Sequence, residues 1–218
     1  MFIGHYGVAF AAKAAAPRVP LGVYFVAVQF LDVLFSLFLF LGVERMRIVP
    51  GFTQYNPYAL EYMPYTHGLV GALGWSLAGG AAWALARRDR REGLVVAGAI
   101  FSHFILDVPV HTPDMPLLGE DSYKLGLGLW NHWLWALVLE LVTLIAGWAV
   151  WMYRRGPVDR PRPGEIVFLA ALVVFAVATP FMPAPSSPNA FGVQALIFYG
   201  VLALFAQLTD RKIQTQPA

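Results

Sequence analysis

Apolar residues gather along this chain into runs near twenty residues long, parted by short clusters of cations and turn formers. The runs cover 21–43, 66–86, 93–111, 127–152, 164–182 and 190–208. A bilayer core of roughly 30 Å needs about 20 apolar residues in a helix rising about 1.5 Å per residue, so each run predicts a membrane-crossing helix. A shorter segment, 2–16, is apolar apart from His5 and Lys13. At about 22 Å it predicts a helix that enters the membrane without crossing it comfortably. It lacks a basic start, and no small-residue cleavage pattern follows the run beginning at Leu21, so no removable signal peptide is expected. The pattern predicts an all-α fold. It is a polytopic transmembrane helical bundle of six spans plus the short N-terminal membrane-inserted helix, in one integral membrane domain over 1–218. No internal repeat or coiled-coil heptad is visible, and the proline-rich stretch 180–188 reads as a tight outer turn.

Composition sharpens this. Of 218 residues, 58% are hydrophobic and 13% charged, roughly half the charge of a soluble domain, which excludes an ordinary cytosolic globule. Cysteine is absent, so disulfides, thiolate nucleophiles and Cys-ligated metals are excluded and any metal must use His and carboxylates. The net charge of +2 comes from cations clustered between apolar runs, a mark of membrane topology rather than of a nucleic-acid surface.

Sorting those cations by alternate loops puts Lys13, Arg18, Arg87, Arg88, Arg90, Arg91, Arg154, Arg155, Arg160, Arg162, Arg211 and Lys212 on one side. Arg45, Arg47 and Lys124 fall on the other. The positive-inside rule then predicts a cytoplasmic C-terminus, with the loops 44–65, 112–126 and 183–189 facing outward. Trp130 and Trp133 near one end of the 127–152 run, and Trp148 and Trp151 near the other, are interfacial anchors. The outward loop carrying Tyr55, Tyr58, Tyr62 and Tyr65 is aromatic enough to lie on the membrane as a partial lid.

Against this background the ionisable residues inside the runs stand out. Each costs about 2.5–3.5 kcal/mol at the centre of a span on insertion scales, and such groups face the bundle interior with partners. Asp32 lies in the first run, His67 opens the second, His103, Asp107 and His111 occupy the third, and His132 and Glu140 the fourth. The last two runs carry essentially none. Any chemistry is therefore expected within 1–152, with 164–208 a helical hairpin for packing or partners. His103, Asp107 and His111 are four residues apart and drift only about 40° per step around a helix, so all three share one face. Pro109 is expected to kink or end the helix and re-aim His111. An imidazole and a carboxylate one turn apart suit a divalent cation, usually zinc for nitrogen and oxygen donors; a hydrogen-bonded His–Asp pair uses the spacing equally well. Measured from the outer ends, Asp107 lies about 6 Å deep, His103 about 12 Å, Asp32 about 16 Å and Glu140 about 20 Å. His5 joins them if the first segment runs inward from the outer side. His132 and Glu140 are separated by about 12 Å along a helix, too far to share one ion.

Gly4-His5-Tyr6, the lone Asp32, Tyr65-Thr66-His67-Gly68, His103-x-x-x-Asp107 and the later Trp130-Asn131 with Glu140 together resemble the bacterial membrane-bound metal-dependent hydrolases. Those proteins look distantly like the soluble zinc-dependent phospholipase C fold, and the resemblance covers about residues 1–145. It implies a principal Zn2+ site of Asp32, His67, His103 and Asp107, with Asp107 bridging towards a second metal also held by His5. His111 and Glu140 are implied for further ligation or acid–base work, and Glu140 or Asp32 as the catalytic proton acceptor. The expectation is a membrane-embedded metal-dependent hydrolase of the bacterial inner membrane. It would act from the outer side on a lipid or lipid-linked phosphoester, with membrane lipids as its partners. Two other classes stay open: a proton or metal transporter, and a non-catalytic structural or accessory subunit. The inner halves of the runs show no matching polar pathway and no inverted repeat, which weighs against transport.

Overall fold

Every long apolar run folds as helix, but the first of them breaks. In the computed structural model, which describes residues 1–210, the helices are α1 (His5–Ala15), α2 (Leu21–Val28), α3 (Phe30–Phe40), α4 (Leu69–Arg87), α5 (Arg90–Asp107), α6 (Trp133–Arg155), α7 (Pro163–Ala178) and α8 (Pro188–Asp210). The 21–43 run divides at Gln29, where α2 and α3 meet at a bend of 54°. Neither glycine nor proline marks that point. The break is held by tertiary hydrogen bonds: Gln29 Nε2 donates to Phe2 O at 3.0 Å, and Val28 O accepts from His103 Nδ1 at 2.8 Å. Non-helical backbone at membrane depth persists only where protein groups satisfy it in this way.

The six-span expectation is corrected accordingly. Four helices are long and apolar enough to cross a membrane alone: α4, α6, α7 with its one-turn extension to Phe181, and α8. The bent α2–α3 pair makes a fifth if it is one broken span. α5 covers the expected third run but carries Arg90, Arg91, Glu92 and Asp107, and its buried face holds Glu92, His103 and Asp107. It packs against α4, α2 and α1 and leaves Leu94 and Ile105 exposed, so its charges set it apart from the four long apolar helices. α1 forms as expected and packs alongside α6 in the same direction, with Gly7 against Gly147. A Cβ on Gly147 would lie 1.8 Å from Gly7 O, so the backbones meet as closely as small residues permit. Phe10 then stacks on Trp151 and meets Trp148 edge-on.

The two ends of the bundle differ in charge. At one end Lys13 pairs with Asp210 at 2.8 Å and Arg18 with Asp89 at 2.6 Å, while Arg91 Nη2 donates to Ala15 O at 2.9 Å. Arg154 and Arg155 close α6 at that same end, since α6 runs with α1. Arg211 and Lys212 lie outside the described residues. The other end is built from loops and two small antiparallel hairpins that the apolar pattern does not predict. One pairs β1 (Arg45–Ile48) with β2 (Tyr58–Tyr62), and the other pairs β3 (Met115–Pro116) with β4 (Lys124–Leu125). Tyr55 N donates to Trp130 O at 3.0 Å and Val70 N to Leu117 O at 3.3 Å, which ties these loops into one cover.

Candidate metal centre

Beneath that cover α5 ends, and its last turn sets the centre of the site. His103 and Asp107 stand one turn apart on its buried face, with His103 Nε2 at 3.1 Å from Asp107 Oδ2. The helix stops at Asp107 because Pro109, two residues on, has no N–H to continue the ladder. The chain turns back through hydrogen bonds from Val110 N and His111 N to Asp107 O, at 3.0 and 2.9 Å. His111 is thereby re-aimed rather than lost, with Nε2 at 3.4 Å from Asp107 Oδ2.

Three other segments converge there. His67, in the turn before α4, places Nε2 at 3.2 Å from Asp32 Oδ1 and 3.8 Å from Asp107 Oδ2. Asp32, on α3 just past the break, lies with Oδ1 at 3.5 Å from His103 Nε2. His5, the first residue of α1, stacks on His103 with ring centroids 4.1 Å apart and sets Nε2 at 3.2 Å from Asp107 Oδ1. The α-ammonium of Met1 also donates to Asp107 Oδ1. Asp107 therefore turns one oxygen to Met1 and His5 and the other to His67, His103 and His111, the disposition of a bridging carboxylate.

The donor set fits a cation on two counts. Ligand atoms of Asp32, His67 and His103 lie within 4.8 Å of one another, as do those of His67, Asp107 and His111 and those of His5, His103 and Asp107. A tetrahedral ion with bonds of about 2.0–2.1 Å spaces its ligand atoms about 3.3 Å apart. The four contacts joining His67 and His103 to Asp32 and Asp107 run from 3.1 to 3.8 Å. Second, His103 Nε2 is buried without a hydrogen-bond partner, an arrangement that costs free energy unless something else engages the lone pair.

Outer partners fix which nitrogen of each ring faces the cluster. Val28 O can only accept, so His103 Nδ1 bears a proton and donates it, which leaves Nε2 as the nitrogen that faces Asp32 and Asp107. His111 Nδ1 lies 2.9 Å from Asp114 Oδ1. His67 Nδ1 lies 2.8 Å from Thr66 Oγ1, whose own hydroxyl proton goes to Glu44 Oε2 at 2.6 Å, leaving the threonine oxygen to accept from the imidazole. Carbonyl or carboxylate partners behind each ring are what orient metal-binding histidines. Glu44 is buried and also accepts from the amides of Tyr65 and Thr66, both at 2.9 Å. Burial pushes its carboxyl above the usual range, and the Thr66 hydroxyl bond opposes that. His5 is different: its Nε2 faces two acceptors, Met1 O at 3.1 Å and Asp107 Oδ1, while Nδ1 has no partner. In this arrangement Nε2 carries a proton directed at both oxygens, which a metal held by His5 would displace.

Glu140 is buried one layer out, with Oε1 accepting from Phe2 N at 2.7 Å and Oε2 from Gly4 N. Both oxygens hold the segment that leads into α1. His132 is the exposed residue before α6 and is not brought to the cluster. Sequence reasoning did not single out Glu44, Thr66 as a hydrogen-bonding partner, Asp114 or Tyr199. The last stands on α8 and donates its hydroxyl to Asp32 Oδ2 at 2.9 Å. The segment 164–208 thus contributes a contact to the site as well as packing.

The site opens onto a cavity of about 610 Å³. Asp32, His67, Asp107 and His111 line it together with Phe35, Phe175, Phe191 and Phe198 and with residues of the loops 53–58 and 182–185. No family model, curated protein or solved structure matches the chain.

Proposed function

We propose that this chain is a membrane-embedded metal-dependent hydrolase that holds zinc and acts on a lipid or lipid-linked phosphoester reached from the loop-covered end. The observation that carries the reading is the convergence of Asp32, His67, His103 and Asp107 from three separate segments, with His111 adjoining, on a cavity also lined by Phe35, Phe175, Phe191 and Phe198. The resemblance to membrane-bound metal-dependent hydrolases rests on the same residues.

Asp32, His67, His103 and Asp107 would hold the ion, which supplies Lewis-acid polarisation of a phosphoryl or acyl oxygen and a nucleophile at neutral pH. His111 and, across the other oxygen of Asp107, His5 are placed to extend the ligand set. Asp32 is the partly exposed carboxylate at the cavity wall, with Oδ2 steadied by Tyr199, and it is the group placed to take a proton from the attacking species. Glu140 has both oxygens engaged by backbone amides, so its part is to position the turn that carries His5. The aromatic lining residues would seat the apolar portion of the substrate. The segregated basic end favours a cytoplasmic C-terminus in a bacterial inner membrane.

A transport reading is less well supported, because between His5 and Lys13 the buried residues of α1 are Tyr6, Gly7, Ala9, Phe10 and Ala12, none of which can relay a charge at neutral pH. The accessory-subunit reading predicts no metal at all. Elemental analysis of detergent-purified protein separates the two: about one zinc per chain is expected, lost in Asp107→Ala and His103→Ala. Folded wild-type protein without metal overturns the proposal.

A further inference from the structure

Away from the metal centre, a groove of about 460 Å³ lies on the flank of the bundle where α2, α5 and α8 meet. Ala27, Val96, Ile100 and Ala203 line it as buried residues, while Val26 and Leu204 are 43% and 58% exposed, so it opens sideways. One end of the groove is at the basic end of the molecule. There Gly22 follows Leu21, whose amide donates to Asp210 at 2.8 Å, the carboxylate that also holds Lys13. Ile100 stands ten residues into α5, about 15 Å from that end. That is half of a hydrocarbon core of roughly 30 Å, the depth of one leaflet. A helix about 10 Å across and 15 Å long fills about 1,200 Å³, so the groove is too narrow for a partner's helix and has the proportions of a single hydrocarbon chain. Arg18, four residues before Gly22, is 78% exposed and donates to Asp89 through Nη2 at 2.6 Å. An exposed pair of that kind is weakly held, and the guanidinium has further donors with which to meet a phosphate. Arg87, Arg88 and Arg90 add positive charge at the same end, in the α4–α5 turn, and such clusters draw anionic lipids.

We infer that this groove is a structural lipid site, holding one acyl chain of an anionic phospholipid from the leaflet at the basic end, with the headgroup beside Arg18. The site is separate from the metal centre and does not rest on it. A chain seated there touches Val26 and Ala27 before the break at Gln29 and Phe30 after it, so it braces the bend between α2 and α3 from the membrane side.

Native mass spectrometry of the full-length protein in detergent, titrated with palmitoyl-oleoyl phosphatidylglycerol or with phosphatidylcholine of the same chains, tests this. About one phosphatidylglycerol should stay bound per chain, roughly fivefold tighter than phosphatidylcholine, the worth of one arginine beside an anionic headgroup. Val26→Trp and Leu204→Trp fill the groove from two different helices, and each should lose that lipid. Val142→Trp, on the exposed face of α6, should keep it. Arg18→Gln should remove most of the preference for phosphatidylglycerol while the chain still binds. A phosphatidylglycerol with a diazirine in its acyl chain needs no variant, and on the parent protein it should label the peptides carrying Val26 and Leu204. A parent that retains no lipid, that holds both lipids equally, or that is labelled only outside the groove overturns the inference. So does unchanged retention in folded Val26→Trp and Leu204→Trp, or a dimer that these variants dissociate, which would make the groove a contact between copies. Zinc content enters none of these outcomes, so the lipid site and the metal centre stand or fall separately.

Discussion

His103 gives its Nδ1 proton to Val28 O across 2.8 Å, and that oxygen is free to accept because α2 ends at Val28. In a continuous helix the carbonyl would be taken by an amide four residues on. The break therefore orients an imidazole on another helix and points its Nε2 at Asp32 and Asp107. The bend is kept in place partly by Gln29, whose amide donates to Phe2 O. Gln29→Leu, with similar volume and no donor, should leave the chain folded and weaken zinc binding roughly tenfold, the size of effect seen when an outer partner is lost. Competition against a chromophoric chelator measures it, and unchanged affinity would show that the break does not depend on Gln29.

The partners behind His67 and His111 should matter as much. Asp114→Ala leaves His111 Nδ1 without its acceptor, and Glu44→Ala removes the carboxylate that orients Thr66. Each should cost roughly 10–100-fold in zinc affinity. Glu44→Ala should also lower thermal stability, because three donors buried around that carboxylate lose their acceptor together. If Asp114→Ala binds zinc as the parent does, His111 is outside the ligand set.

Tyr199 offers a cleaner substitution. Its hydroxyl donates to Asp32 while its ring packs 5.7 Å from Phe2, so Tyr199→Phe removes the hydrogen bond and keeps the packing. Zinc affinity should fall about tenfold, with the melting temperature close to that of the parent. A variant that binds zinc normally would mean that His67 and His103 suffice to hold Asp32.

These partners mark the boundary of what could be read from the chain alone. Asp32, His67, His103 and Asp107 were legible because an ionisable group inside an apolar run is costly and has few explanations. Glu44, Thr66 and Asp114 stand in polar loops, where such residues are ordinary, and Tyr199 stands in a run where an aromatic reads as lipid-facing surface. The break at Gln29 has no glycine or proline to announce it, being made by contacts with Phe2 and His103 that are remote in sequence. The same kind of polar group explains the span count: α5 is helical where expected, but its four charged residues make it less apolar than the four helices long and apolar enough to cross alone.

The approach of α1 to α6 places His5, and it has no slack. A side chain on Gly147 would be driven into Gly7 O, so Gly147→Ala should separate the helices and destabilise the protein by about 1–3 kcal/mol or more, as overpacking does. At Gly98 an added methyl group would meet nothing within 4 Å, which makes that position the control, and Gly98→Ala should be neutral or slightly stabilising. Melting curves in one detergent compare the two. Equal melting temperatures would mean that α1 is not held where this packing puts it.

The far end of the bundle has a pH signature of its own. Asp89 caps α5, accepting from Arg91 N at 2.9 Å and Glu92 N at 3.1 Å, and pairs with Arg18. The bond from the Glu92 amide, followed by that from Arg91, holds its carboxyl below the usual value of 3.8. A depressed folded pKa means that the cap stabilises fully above the unfolded value and that the gain is lost as pH falls through the folded one. Asp89→Ala should therefore melt below the parent at pH 7, and the gap should shrink as pH is lowered past about 4, towards the unfolded carboxylate value and below it. Melting temperatures across that range test it, and a gap that stays constant into strong acid would show that Asp89 contributes through packing rather than through its charge.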